Sequence, residues 1–122
     1  MGAAGSPHAT FQRAPKAGNL TLALTEARDL PHVDLTDALA LLLLIRDQAP
    51  DRYGRAAGRW LGRYCVETSA GLDEAAYLLG ALTGLGSERP RTGALALVAP
   101  ARERGDRRLE TVVRRWLDST LR

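Results

Sequence analysis

The stretch DLTDALALLLLIRDQ, residues 34–48, decides the fold. At about 100° per residue, Leu35, Leu39, Leu42 and Leu43 make the buried stripe of an ordinary amphipathic helix. Leu41, Leu44 and Ile45 fill most of the remaining circumference. A helix that is apolar on nearly every side must be wrapped by other helices or by a partner subunit. The sequence therefore predicts an all-α protein, a compact bundle of four to six helices around this central hydrophobic helix. Asp34 stands where an N-cap belongs, and Asp37 holds the capping-box position more often occupied by Glu or Gln. Pro50 marks the other end.

The flanking segments read as shorter amphipathic helices. Downstream, residues 51–68 form a helix with three sectors. Tyr53, Ala57, Trp60, Leu61 and Tyr64 are its apolar side, Gly54, Gly58 and Gly62 lie together beside it, and Arg52, Arg55, Arg59 and Arg63 form a basic stripe. Glycines four residues apart permit close helix approach; in a GC-rich gene they also simply replace alanine. Residues 72–83 follow as a helix with Asp73 and Glu74 at its positive dipole end. It is expected to bury Leu72, Ala75, Leu79 and Leu82 and to stop at Gly84 and Gly86.

Upstream, Leu20, Ala23, Leu24, Ala27 and Leu30 recur at helical spacing, with Asn19 as N-cap and Pro31 as stop, so a helix is expected over 19–29. Residues 1–18 show no periodicity and are expected to be a disordered tail. The single helical domain then spans 19–122: a core at 19–85, a linker GSERPRT at 86–92, and a basic C-terminal segment at 93–122. Ala94 to Ala99 suits a helix or a strand by pattern; the helical context favours helix, with Pro100 at its end. The last helix runs from about Asp106 to Leu121. Leu109, Val112, Val113, Trp116, Leu117 and Leu121 form its apolar face, with Arg107, Arg108, Arg114 and Arg115 off that face.

Composition bounds the function classes. At 122 residues, 45% hydrophobic and 25% charged, the chain is the size and type of one globular domain. A single cysteine, Cys65, excludes an internal disulfide and a cysteine-based zinc site. The longest apolar run, Ala38 to Ile45, is eight residues, where a membrane span needs roughly 20. With no secretory signal pattern at the N-terminus, a cytoplasmic protein is expected. Sixteen of the 17 basic residues are Arg, a bias that points first to a GC-rich coding sequence. Net charge is +2 over residues 1–18, −4 over 19–88 and +5 over 89–122. That asymmetry suits an acidic partner, nucleic acid included.

Catalytic constellations are missing. His8 and His32 are the two histidines, neither in a metal-ligand spacing. Cys65 falls between the apolar and glycine sectors of its helix, the setting of a structural thiol rather than an activated nucleophile. Asp34 with Asp37, and Asp73 with Glu74, sit at helix starts and read as caps before they read as paired acids. No phosphate loop or dinucleotide fingerprint is present. The sequence predicts no enzyme, no cofactor and no metal. Ala76 and Gly80 match a helix-turn-helix superficially. The recognition helix would then contain Gly84, Gly86 and Pro90, which break helices at roughly 1 kcal/mol per glycine and 3 per proline, so that motif is rejected.

Interaction is the remaining class. The last helix, with Trp116 among arginines, either covers the hydrophobic helix, in its own copy or exchanged between copies, or it docks in a groove, associates with another copy or lies on an anionic membrane. The candidate interaction residues are Arg52, Arg55, Arg59, Arg63, Arg107, Arg108, Arg114, Arg115 and Trp116. A protein partner or a second copy is expected, as a homodimer, with weak nucleic-acid binding through the arginines as the alternative.

The run LPHVDLTDALALLLLIRDQAPDRYGRAAGRWLGRYCVE, followed by GLDEAAYLLGALTGL, resembles small all-helical proteins of high-GC Gram-positive bacteria. The likeness covers about residues 20–86 and rests on Leu39 to Arg46, Arg52, Tyr53, Ala56, Arg59, Trp60, Arg63 and Tyr64. It implies a helical fold and a bacterial cytosolic setting, and no reaction.

Overall fold

In the computed structural model, which describes residues 33–120, Asp34 Oδ1 accepts the Asp37 backbone N–H at 2.8 Å and opens helix α1, Leu35–Gln48. Ala49 closes it, and Pro50, whose missing N–H costs nothing at a first helical position, starts α2, Pro50–Thr68. Ser69, in the left-handed conformation at φ 54°, ends α2 by donating its N–H to the Cys65 carbonyl. Helix α3 is Leu72–Leu85, α4 is Pro90–Glu103 and α5 is Arg107–Thr120. The expected tail 1–18, the expected helix 19–29, His8, His32 and Leu121 lie outside the described residues.

The five helices close a ring. Each packs on the next along the chain, and α5 returns to pack on α1. Side chains from all five meet in one continuous core, including Leu39 and Leu43 of α1, Trp60 of α2, Leu78 of α3, Leu97 of α4 and Val113 of α5. Helix α1 gives Leu39, Leu42, Leu43 and Ile45 to it, and also buries Leu44, Thr36 and Asp37. The compact helical bundle expected from residues 34–48 is the fold observed.

Polar groups of the core helices are partnered across the ring. Trp60 Nε1 donates to the Leu35 carbonyl at 2.9 Å, and the Tyr53 hydroxyl donates to the Leu82 carbonyl at 2.7 Å. Arg46 reaches from the end of α1 to the end of α3, donating to the carbonyls of Leu85 at 2.9 Å and Ser87 at 3.1 Å. A helix C-terminus has carbonyls with no intrahelical partner, and a guanidinium is well suited to satisfy them.

Helix α3 is rotated from its expected setting. It buries Leu78, Ala81, Leu82 and Leu85, while Leu72 is 89% exposed and Leu79 56% exposed. The segment LDEAAYLLGALTGL is apolar at almost every angle, so periodicity offers two stripes, and packing against α4 selects the second. The helix also runs through Gly84. That glycine lies against Gly93 of α4, and a Cβ on Gly93 would meet the Ala81 carbonyl at 2.5 Å and the Leu85 backbone. Close approach of two helices therefore occurs at Gly84 and Gly93. At Gly54, Gly58 and Gly62, the glycines whose spacing suggested it, an added methyl would meet nothing within 4 Å among the described residues.

The linker is shorter than expected, since α4 begins at Pro90 and leaves residues 86–89 between helices. Ala94 to Ala99 is helical, and Pro100 lies inside α4 instead of ending it. Proline has no N–H to give the carbonyl four residues before it. That carbonyl, Ala96 O, accepts the Tyr77 hydroxyl of α3 at 2.8 Å. Gly105, at φ 72°, turns the chain, and Asp106 Oδ1 caps α5 by accepting the Leu109 N–H at 3.1 Å.

Substitution Leu42→Asp, placing a carboxylate at a 2% exposed position, is expected to cost more than about 4 kcal/mol and to abolish cooperative unfolding. The glycines are expected to separate: Gly93→Ala lowers the denaturation midpoint by overpacking the α3/α4 crossing, about 1–3 kcal/mol. Gly58→Ala raises it by about 0.5–1 kcal/mol. Urea denaturation of the two variants beside the parent measures both.

Candidate functional site

The predicted interaction residues fall into two groups on opposite flanks of α1, because α2 and α5 each pack on α1 and not on each other. On α2, Arg52, Arg55 and Arg59 are exposed and make no side-chain hydrogen bond or ion pair among the described residues. One turn later Arg63 pairs with Glu67 at 2.8 Å, with its Nη2 buried and unpartnered. On α5, Arg107 and Arg115 are likewise exposed without a described partner. Arg114 pairs with Glu110 at 2.9 Å.

Arg108 and Trp116 serve the fold. Arg108 bridges to Asp34 at 3.2 Å and Asp37 at 3.5 Å, tying the start of α5 to the start of α1. The Asp34 hydrogen bond, ahead of every other cause, holds its pKa above the usual guanidinium value. Trp116 is half-buried; its Nε1 donates to Asp47 at 2.8 Å, and the Arg46 guanidinium lies 5.3 Å from the ring centroid. Leu109, Val113 and Leu117 are buried in the core. Helix α5 thus covers its own α1, and the tryptophan is spent on that cover.

A second polar cluster closes the far end of the ring. The Tyr64 hydroxyl of α2 donates to Glu74 Oε2 of α3 at 2.7 Å. Arg104, just past α4, donates to both carboxylate oxygens of Glu74 at 2.8 Å and lies 5.4 Å over the Tyr64 ring. The Arg104 and Tyr64 hydrogen bonds hold the Glu74 carboxyl below the ordinary carboxylate range. Burial, then the Glu74 contact, pushes Tyr64 up to about 12. Burial pushes Tyr53 to about 12 as well. Among the described residues no group of three or more His, Cys, Asp or Glu is placed to hold a metal, and Cys65 is half-buried.

The surface that sequence reasoning missed lies between α2 and α3. Rotation of α3 turns Leu72, Ala76, Leu79 and Thr83 outward on one helical stripe. Leu79 and Thr83 of that stripe line an open groove of about 290 Å³ together with Tyr53, Gly54, Gly58 and Leu61 of α2. The groove stays open because α2 and α3, though adjacent, pack together less than any other neighbouring pair. Its walls are mostly apolar; the two side-chain hydroxyls on it, Tyr53 and Thr83, donate to the Leu82 and Leu79 carbonyls. Such walls are suited to receive an apolar partner. The partnerless Arg52, Arg55 and Arg59 run along α2 one sector further round. The available signal was the doubly apolar pattern of residues 72–85, which admits an exposed leucine stripe whichever side is buried.

Stability is expected to fall at both pH extremes. A depressed carboxyl pKa, as at Glu74, contributes stability present above its unfolded value of about 4.3 and lost as pH falls through the folded value, so stability is expected to decline below about pH 4. A raised tyrosine pKa contributes stability present below about pH 10 and lost as pH rises toward about 12. Denaturation midpoints measured from pH 2 to 12 check both limbs; Glu74→Gln is expected to flatten the acid limb and Tyr53→Phe the alkaline one.

Comparison of the chain with family models, with curated proteins and with solved structures found no match.

Proposed function

We propose that this protein is a non-enzymatic helical interaction module that pairs with a second copy of itself through the α2/α3 face, in a bacterial cytoplasmic regulatory setting. The observation that carries this reading is the exposed apolar stripe of α3, with Leu72 89% and Leu79 56% exposed, of which Leu79 lines the open groove beside Gly54 and Gly58. Isolated exposed leucines are ordinary on a protein surface; leucines aligned on one helix face beside an open apolar groove mark an interaction site. Glycines at Gly54 and Gly58 let another helix approach the α2 backbone closely. Exposed Asp51 and Asp73, in the first turns of α2 and α3, offer acidic counterparts to the arginines of a two-fold-related copy.

A second reading, weak nucleic-acid binding, draws on Arg52, Arg55, Arg59, Arg107 and Arg115, which have no acidic partner among the described residues. It requires phosphate contacts from both flanks of α1, an affinity that falls steeply with salt, and loss of binding on Arg114→Glu with Arg115→Glu. No helix of the described residues is long and apolar enough to cross a membrane.

Light scattering and sedimentation across a dilution series distinguish the readings. The parent protein is expected to form a dimer at high micromolar concentration that dissociates on dilution. Leu79→Glu and Gly58→Leu, both at open positions, are expected to yield folded monomers with unchanged helicity. A strict monomer at high micromolar concentration, or a dimer indifferent to both substitutions, refutes self-association through this face.

A further inference from the structure

The ring divides into two blocks. Helix α1 packs extensively on α2, and α3 packs extensively on α4 with α5 beside it, whereas the α2/α3 and α1/α5 seams between the blocks are the least extensive contacts. Polar side chains hold both seams. Tyr53 donates to the Leu82 carbonyl and Tyr64 to Glu74 across the first; Arg108 reaches Asp34 and Trp116 reaches Asp47 across the second. The chain joins the blocks only through Ser69, Ala70 and Gly71. Among the described residues Ser69, at φ 54°, is the one non-glycine residue in the left-handed region, a conformation disfavoured for any residue with a Cβ. Ser69 and Gly71 are exposed, and a Cβ on Gly71 would meet nothing within 4 Å.

Contacts across the α2/α3 seam share one register. Tyr64 meets Glu74, Leu61 and Leu79 line the same groove, and a Cβ on Gly86 would meet the Tyr53 ring at 2.6 Å. Each pair has its midpoint at residues 69–70, as in an antiparallel hairpin folded about its own loop. Such a register has a two-chain twin. Two copies with the loop straightened, laid antiparallel about a two-fold axis at residues 69–70, make the same pairs between chains.

We propose that the dimer forms by exchange of the α1–α2 block, with residues 69–71 as the hinge. The exchange presupposes the self-association reading above and states how the two copies meet. In it the loop becomes helical, α2 runs on into α3, and α2 of each copy packs on α3 of the other, with α1 under the other's α5. Straightening places Leu61, Cys65, Thr68, Leu72, Ala75 and Leu79 at alternating intervals of four and three, the spacing of a coiled-coil seam. The loop interrupts that seam in the single copy, where Leu72 is 89% and Leu79 56% exposed. In the paired copies Leu72 comes opposite Thr68 of the second copy, and Leu79 opposite its Leu61. Contacts across both seams are remade between chains, so the two forms differ chiefly at the hinge. Exchange relieves Ser69 and covers Leu72; the closed ring is favoured by dilution.

The test changes the hinge in the full chain and reads the dimer by sedimentation equilibrium. Ser69→Ala with Gly71→Ala favours helix through the hinge and is expected to lower the dimer dissociation constant about tenfold or more. Ser69→Gly accepts the left-handed turn and is expected to raise it. As a second measurement, Asp34→Cys with Arg108→Cys in a Cys65→Ala background spans the α1/α5 seam, away from the α2/α3 face. A short bis-maleimide applied to the isolated dimer is expected to give products of two-chain mass on a denaturing gel. Products of single-chain mass from that dimer overturn the exchange. A dimer lost on Leu79→Glu but indifferent to both hinge changes also overturns it, while leaving association through the α2/α3 face intact. Strict monomers at high micromolar concentration, for the parent and the double-alanine hinge alike, overturn both.

Discussion

A helix with leucine on every side is intolerable in water, and the whole arrangement follows from enclosing α1. Helices α2 and α5 flank it, and the core formed with α3 and α4 takes Leu39, Leu42 and Leu43. The ends of α1 are fastened by polar contacts that would be worth little on an open surface. Arg108 reaches Asp34 and Asp37 at the start; Arg46, Asp47 and Trp116 interlock at the end. Exposed ion pairs of this sort contribute at most about 1 kcal/mol each. Their work is to fix where α5 sits, so that Val113 and Leu117 arrive over the core in register.

Two helix crossings in the ring differ in kind. At α3/α4, Gly84 meets Gly93 backbone to backbone, and the freed Ala96 carbonyl opposite Pro100 takes the Tyr77 hydroxyl. This is a tight, fully satisfied contact. At α2/α3 the helices diverge over a glycine stripe with nothing against it, and are held instead by Tyr53 at one end and the Tyr64, Glu74 and Arg104 cluster at the other. An interface clamped at both ends and hollow between them is suited to accept a foreign apolar side chain. That contrast is the reason the proposed association uses the α2/α3 side.

The arginines divide by the same logic. Arg46, Arg104 and Arg108 carry the connections between helices, while Arg52, Arg55, Arg59, Arg107 and Arg115 have no described partner. A count of arginines in the sequence could not separate these roles, since both kinds sit on polar helix faces. The difference is where the neighbouring helix ends, which is a property of packing.

Residues 34–48 determined by themselves that the protein is helical and multi-layered, because no other arrangement hides seven large aliphatic side chains spread around one helix. Capping at Asp34, the break at Pro50 and the apolar face of α5 were equally legible, each resting on local stereochemistry or a single clear period. Tertiary structure alone decided which side of α3 is buried, that α4 continues through Pro100, and that the close crossing belongs to Gly84 and Gly93 rather than to the evenly spaced glycines of α2. In each case the local pattern was degenerate: α3 is apolar all round, a proline is tolerated when another helix supplies the missing donor, and a glycine reveals only what could approach. Such choices fall to whichever neighbour is present, and a neighbour is known only once the chain has closed its ring.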